Sequence, residues 1–310
     1  MVETEPVEIL MATYNGAFFL REQIDSILKQ TDGNWHLTVS DDGSEDGTQD
    51  IIDDYAQRFP EKIAHYHSGK RFGNARDHFF HLMNQCCAKW MLFCDQDDTW
   101  YPNKVAKMRH AMKNAENQYG ADTPLLVFSD QTPTDARLNP LAPSLMRYQN
   151  QYFGYFDYRS ILMQNVVTGG AMGINRSLAE LGGRCADVSK VIMHDWWLAA
   201  VAARFGKIVY LDEPLGTYRQ HGDNVEGAKH VGSFSYVCDR LGKIRKVRES
   251  ILRKKAQAAV FWETYLKSLT EQDMAFLDGF EKSRSGLSFY LKYGNLLHGN
   301  ERKAGMMLLG

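Results

Sequence analysis

The chain has 310 residues, enough for one large domain or about two ordinary ones. It is 44% hydrophobic and 24% charged, which sets aside wholly disordered, collagen-like and coiled-coil architectures. A net charge of -2 argues against a dedicated DNA-binding protein, which needs a basic footprint. The charge is unevenly spread. Residues 231–310 hold 14 Lys and Arg against 8 Asp and Glu, so an acidic body carries a basic tail. The cysteines show no C-x-x-C spacing and read as reduced thiols in a cytoplasmic setting. The opening stretch Met1–Pro6 is acidic, so no secretion signal is expected, and no apolar run reaches the ~18 residues of a membrane span.

In chain order, Val7–Ala12 reads as a strand, and Phe18, Leu20, Ile24, Ile27 and Leu28 recur at helical spacing. His36–Ser40 is a second strand, ending in the polar run Asp41–Thr48. A helix is expected over Thr48–Phe59, a short strand over Ile63–His67 and a helix over Ala75–Cys87. Trp90–Cys94 is a strand that runs into Asp95-Gln96-Asp97-Asp98. Asn103–Tyr119 is helical, and Leu125–Ser129 is a strand ending at Asp130. Residues 131–165 show no clear period; Val166–Ile174 reads as a strand interrupted by glycines. His194–Phe205 is a helix, Ile208–Leu211 a strand and Tyr218–Asn224 a polar loop. Strands alternating with ~10–15-residue helices imply βαβ units, hence an α/β fold with a mostly parallel sheet. Ligands of such sheets bind beyond the carboxyl ends of the strands. The polar clusters Thr13–Gly16, Asp41-Asp42, Asp95–Asp98 and Asp130 all fall there.

Three carboxylates in the four positions Asp95–Asp98 repel one another, and a divalent cation relieves that repulsion. Mg2+ and Mn2+ prefer oxygen ligands and take one or two protein carboxylates together with substrate phosphates. The plainer reading is a solvated acidic turn ahead of the next helix. Asp41-Asp42-Gly43-Ser44 either accepts from a ring or amide N–H of a ligand or serves as turn and cap chemistry. His194-Asp195-Trp196-Trp197 opens a helix far along the chain. An Asp there either caps the helix or acts as a general base. Adjacent indoles suit the C–H faces of a sugar, or they simply pack in the core.

These stretches resemble a known family. Met11–Gly16, Ser40–Thr48, Phe93–Asp98, Met193–Trp196 and Tyr218–His221 come in the order seen in family 2 glycosyltransferases of the GT-A fold. With Val167–Gly170 and Asn224-Val225 added, the pattern is most similar to bacterial polysaccharide rhamnosyltransferases, over about residues 7 to 230. The resemblance implies a GT-A catalytic domain over residues 1–230, with a nucleotide-sugar half over about 1–130 and an acceptor half over about 131–230. A mainly helical extension would span 231–310. It implies Thr13 and Tyr14 beside the donor nucleotide, Asp42 or Asp41 on the pyrimidine, Arg76 near the base or phosphate, and Asp95 and Asp97 as the D-x-D motif. Asp97 would be the direct ligand of Mg2+ or Mn2+, with His221 and Arg219 near the metal and diphosphate. Asp195 would be the catalytic base, and Gly169, Gly170, His194, Trp196 and Trp197 would line the sugar and acceptor. The implied activity is inverting transfer of L-rhamnose from dTDP-L-rhamnose to a hydroxyl of a saccharide acceptor, which in this family is often lipid-linked. A UDP-hexose donor is the alternative within the family. No Gln-x-x-Arg-Trp motif of the processive synthases is present. Outside the family, a metal-dependent sugar nucleotidyltransferase or a non-catalytic carbohydrate-binding module remains open.

In the tail, Arg240, Lys243, Arg245, Lys246, Arg248, Arg253, Lys254 and Lys255 accompany Leu241, Ile244, Val247, Ile251 and Leu252 at spacings of three and four. This is an amphipathic helix with a basic face. It either docks on an anionic membrane, at about 1 kcal/mol for each basic residue near the surface, or packs on the catalytic domain. Phe261, Trp262 and Tyr265 would anchor it at the interface or join a core or a contact between copies.

Overall fold

The computed structural model describes residues 5–151, 156–221 and 244–282, together with Leu291, Tyr293 and Leu296. Seven strands form one sheet in the order β3-β2-β1-β4-β6-β5-β7. These are β1 Val7–Thr13, β2 Trp35–Asp41, β3 Ile63–His65, β4 Trp90–Cys94, β5 Leu125–Thr134, β6 Met172–Asn175 and β7 Lys207–Arg219. The strands β1 to β4 are mutually parallel, β5 pairs parallel with β7, and β6 runs antiparallel between β4 and β5. The sheet is therefore mostly parallel, and strands from both expected halves share it.

Alternation along the strands sends their side chains to two cores. Val7, Ile9 and Met11 of β1 and Leu92 of β4 pack beneath α1 Ala17–Leu28, α2 Thr48–Arg58 and α4 Lys104–Tyr119. Leu10, Met91 and Phe93 face the opposite way, toward α3 Ala75–Gln85, α7 Arg176–Gly182 and α8 His194–Phe205. The two remaining short helices are α5 Leu145–Tyr148 and α6 Tyr158–Met163.

Three elements differ from the sequence expectation. The expected strand Val166–Ile174 is a 3-10 turn at Gly169–Ala171 followed by a strand of four residues. The tight turn takes up Gly169 and Gly170, while Gly173 stays within the strand. β5 continues through Asp130 to Thr134, because residues 130–134 go on pairing with β7 past two register shifts. β7 in turn runs to Arg219, so Tyr218 and Arg219 are strand residues and not loop. The part of the expected loop beyond His221 lies outside the described residues, as do Leu241, Arg240, Lys243 and the side chains of residues 244–248.

The tail helix, α9 Ile244–Tyr265, packs on the body formed by the sheet and its helices, with α10 Glu271–Lys282 behind it. Phe261 and Tyr265 are buried, with the Trp197 ring 5.8 and 5.9 Å from theirs. Gln257 is fully buried and accepts from the Ile192 amide at 2.9 Å. Asp273 of α10 accepts from Tyr158 Oη at 2.7 Å and from Arg204. Two of the three candidate anchors, Phe261 and Tyr265, are thus spent on a shared core, while Trp262 is partly exposed and Leu252 64% exposed. No helix among the described residues is long and apolar enough to cross a membrane. Phe261→Ala is expected to destabilise the whole chain by about 3–5 kcal/mol in a single denaturant transition. Loss of only a separate minor transition would show that the extension folds apart from the body.

Candidate active site

The site is assembled at the carboxyl ends of β1, β2 and β4. Thr13 closes β1 and donates through Oγ1 to Asp41 Oδ1 at 3.0 Å. Asp41 also accepts from the amides of Gly43 and Ser44, at 3.0 and 2.8 Å, so its carboxylate organises the turn that leads to α2. Gly43 sits at φ 79°, a conformation that favours glycine. Asp42 is buried and reaches the other way, accepting from the amides of Phe72 and, at 2.7 Å, Gly73. Both carboxylates hold backbone, and Asp42 fixes the segment that carries Arg71.

Arg71, and not Arg76, lies against the expected nucleotide residues. Its guanidinium donates to Tyr14 Oη at 2.8 Å, lies over the Tyr14 ring at 5.1 Å and is exposed. Arg76 is engaged elsewhere, by Asp77 at 2.8 Å and by the carbonyls of Ser189 and Val191 at 2.9 and 2.8 Å. The reason is local: Asn74 caps α3, and Arg76 projects from its first turn toward the segment before α8.

Gln96, the middle residue of the D-x-D stretch, pairs with the backbone of Tyr14 in both directions, at 2.9 and 3.0 Å. It thereby ties the end of β4 to the loop after β1. A side-chain carbon on Gly16 would fall 2.2 Å from Gln96 Oε1, so only glycine leaves room for that clamp.

Asp97 and His221 meet at 2.7 Å between Oδ2 and Nε2. His221 also packs on the Phe19 ring at 4.6 Å. Asp98 is buried, accepting from the Arg219 amide at 2.8 Å and from Gln131 Nε2 at 3.2 Å. Burial and the neighbouring Asp97 charge push Asp95 up to about 7, and the same causes raise Asp98 well above the usual carboxylate range. Beneath them lies Lys104, 1% exposed, with Nζ donating to the Gly170 carbonyl at 2.6 Å and lying 4.0 Å from the centre of the Trp100 ring. Burial lowers Lys104 to about 8, against the opposing pull of nearby acids. Asp97 and His221 bring one carboxylate and one imidazole side by side, donors of the kind that hold a divalent cation.

The Gly169–Gly170 turn separates this cluster from Asp195. A side-chain carbon on Gly170 would lie 2.7 Å from Asp95 Oδ2 and 3.3 Å from Asp98 Oδ2. One on Gly169 would lie 3.0 Å from His194 Nε2 and 3.7 Å from Asp195 Oδ2. Asp195 stands in the first turn of α8 and accepts from the Trp196 amide at 2.5 Å. Two residues from distant stretches, Asp95 and Asp195, therefore each lie against one of two adjacent glycines.

Other expected contacts are corrected by burial. His194 is enclosed between Phe79 and Phe93, with ring centres 4.2 and 5.1 Å away, and neither ring nitrogen has a partner among the described residues. Burial lowers it to about 3, so it is a neutral prop behind Gly169. Trp197 is fully buried and donates to the Gly182 carbonyl at 2.9 Å, which leaves Trp196 as the partly exposed indole. Arg219 is 2% exposed, paired to Glu22 at 2.6 Å and packed 4.7 Å from Phe19, beneath the site's surface. Asp130 caps α5, accepting from the amides of Leu145 and Met146 at 3.1 and 3.2 Å. Sequence reasoning missed Arg71, Gln96 and Lys104. The Pro102-Asn103-Lys104 run offered a signal for the last, since Lys104 opens α4 directly after the acidic stretch.

A mostly parallel sheet with one antiparallel strand, flanked by helices and with acidic strand ends, has the architecture of the GT-A class. Residues 8–182 match the family model Glycosyl transferase family 2, and the chain belongs to that family. Its sequence is 28% identical over 252 residues to the dTDP-rhamnosyl transferase RfbG of Shigella flexneri, covering 76% of this chain and 79% of that one. The fold is similar to S. aureus TarS 1-349 in complex with UDP-GlcNAc, with a TM-score of 0.55 at 12% identity over 98% of this chain and 90% of that one. It is also similar to the mannosyltransferase PcManGT of Pyrobaculum calidifontis in complex with GDP-Man and Mn2+, with a TM-score of 0.54 at 16% identity over 98% and 86% of the two chains. Of the three classes left open by the sequence, family membership selects the glycosyltransferase. Gly170→Ala is expected to displace Asp95 and lower transferase turnover about 10²-fold while the far-UV circular dichroism is unchanged; full activity would show that the close approach has no role.

Proposed function

We propose that the chain transfers L-rhamnose from dTDP-L-rhamnose to a hydroxyl of a saccharide acceptor, with inversion at the anomeric carbon. The observation that carries the reading is the placement of Asp195 and Asp95 on opposite sides of the Gly169–Gly170 turn. The identity to RfbG over three-quarters of the chain supports the rhamnose donor.

The donor nucleotide lies along Thr13, Tyr14 and the Asp41-Asp42 turn. Arg71 stands at the open edge of that surface and supplies the exposed cation that Arg76 and Arg219 do not. A guanidinium there makes charge-assisted contacts to a phosphate. Asp97 and His221 are the residues to hold Mg2+ or Mn2+, with Asp95 beside them; the bound cation would stabilise the charge of the departing diphosphate.

Asp195 takes the proton from the acceptor hydroxyl as its oxygen attacks the anomeric carbon. The bond from that carbon to the diphosphate breaks, and the electron pair leaves with dTDP. The β-L donor gives an α-L product. The Trp196 amide fixes one oxygen of Asp195, leaving the other directed toward Gly169. The Trp196 indole, pinned through Nε1 to the Ile161 carbonyl, offers a face to the incoming sugar.

Asp195→Asn removes the base and preserves the shape. Product formation should fall by about 10²–10⁴-fold while calorimetric donor affinity stays within a factor of about two. Retained turnover would reject the base assignment. Asp97→Ala should abolish Mn2+-dependent binding of the donor nucleotide, and unchanged binding would remove Asp97 from the metal. In a thermal-shift panel with Mn2+, dTDP-rhamnose should stabilise the chain more than UDP-hexoses, and the reverse order would transfer the assignment to a UDP-hexose donor.

A further inference from the structure

A second group of ligating side chains lies at the edge of the sheet, three strand positions from β4, or about 14 Å at the usual strand spacing. Asp53 of α2, His65 at the end of β3 and His67 just beyond it hold one potential ligand atom each, all within 4.8 Å of one another. His65 Nδ1 is 2.6 Å from Asp53 Oδ1, and the two imidazole rings are 4.0 Å apart. We infer that Asp53, His65 and His67 form a second cation site, selective for Zn2+-class transition ions and separate from the donor's metal.

The positions explain how the group is built. His65 closes β3 facing Asp53 of α2, and His67, two residues further on, brings its ring 4.0 Å from that of His65. The backbone is anchored there, since His65 is in register with Val39 and the Tyr66 amide donates to the Val39 carbonyl at 2.8 Å. Asp53 comes from the middle of α2, whose Ile51, Ile52 and Tyr55 are buried beneath it. The His65 side chain is 6% exposed and that of Asp53 63%, so the site is held from within and open to solvent. Tetrahedral Zn2+ takes three such ligands and a water at about 2.0–2.2 Å. Two imidazoles and one carboxylate disfavour Mg2+, which demands octahedral oxygen coordination. An ion here would brace the start of segment 68–73, which carries Arg71 and the two amides that hold Asp42. The inference stands whether or not the rhamnose reading does.

Co2+ reports the site in the full chain, by calorimetry and by its visible d–d absorption, with Mg2+ in excess throughout. The Asp97→Ala variant, which lacks the donor-site ligand, should still bind a single Mg2+-resistant Co2+ per chain with tetrahedral-type absorption. Adding His67→Ala, or separately Asp53→Asn, should weaken that binding by at least about tenfold. Both residues are exposed, so the melting temperature without metal should not change. Absence of Mg2+-resistant Co2+ in Asp97→Ala would overturn the site, as would binding undiminished by both additional substitutions.

Discussion

Like charges crowded at the end of β4 set the terms for everything around them. Asp95 and Asp98 both approach the Gly170 backbone, and Asp97 raises the proton affinity of each. Unit charges about 4 Å apart repel by about 4 kcal/mol at an effective dielectric of 20. The protein offsets part of this with donors that need no charge of their own: the Arg219 amide and Gln131 on Asp98. Lys104 adds a positive charge from below without an ion pair, because its Nζ is committed to the Gly170 carbonyl. The surplus acidity that remains is at Asp97, beside His221 on the open side, where the proposed cation would sit.

The topology then decides which groups reach that surplus. Parallel strands β1, β2 and β4 end on one side, and their loops interlock through Gln96 and Thr13. β6 enters between β4 and β5 in the opposite direction, so the turn preceding it returns over the same ends. Only glycines fit at that point, with Asp95 on one side and His194 on the other. His194 has no room to move between Phe79 and Phe93, and Asp195 follows it directly into α8. Asp195, the proposed base, thus follows a packed, neutral imidazole, with the turn of two glycines between it and the acidic cluster.

Sheet class, strand ends and the acidic stretches were legible because they follow local rules. Val7–Ala12 and Trp90–Cys94 are short apolar runs closed by polar residues, and the register confirms both as neighbours. What escaped were roles fixed by contacts between distant segments. Arg71 and Arg76 are equally basic in sequence, and only the Asp77, Ser189 and Val191 contacts distinguish them. Lys104 reads as a solvated residue opening a helix, yet it is among the most deeply buried side chains. Arg219 lies inside a strand extended by pairing with β5, which its own local pattern does not announce. The indoles of Trp196 and Trp197 differ because successive helical residues point about 100° apart, and only one of those directions faces the core.

The basic extension belongs to the same argument. Its apolar stripe was ambiguous because a membrane and a protein core reward the same spacing. The α8 face takes up part of that stripe: Trp197 offers Phe261 and Tyr265 a buried partner, and Tyr265 Oη reaches the Leu181 carbonyl at 2.9 Å. With those two aromatics committed, what α9 presents to solvent among its described side chains includes Glu249, Ser250, Leu252 and Arg253, with Trp262 partly exposed. Lys254 is drawn the other way, its Nζ 5.7 Å from the centre of the Trp196 ring. Trp196 is the residue whose amide holds Asp195, so the extension supports the wall of the candidate site. A helix that buttresses the neighbour of Asp195 packs as part of the same body as the candidate site.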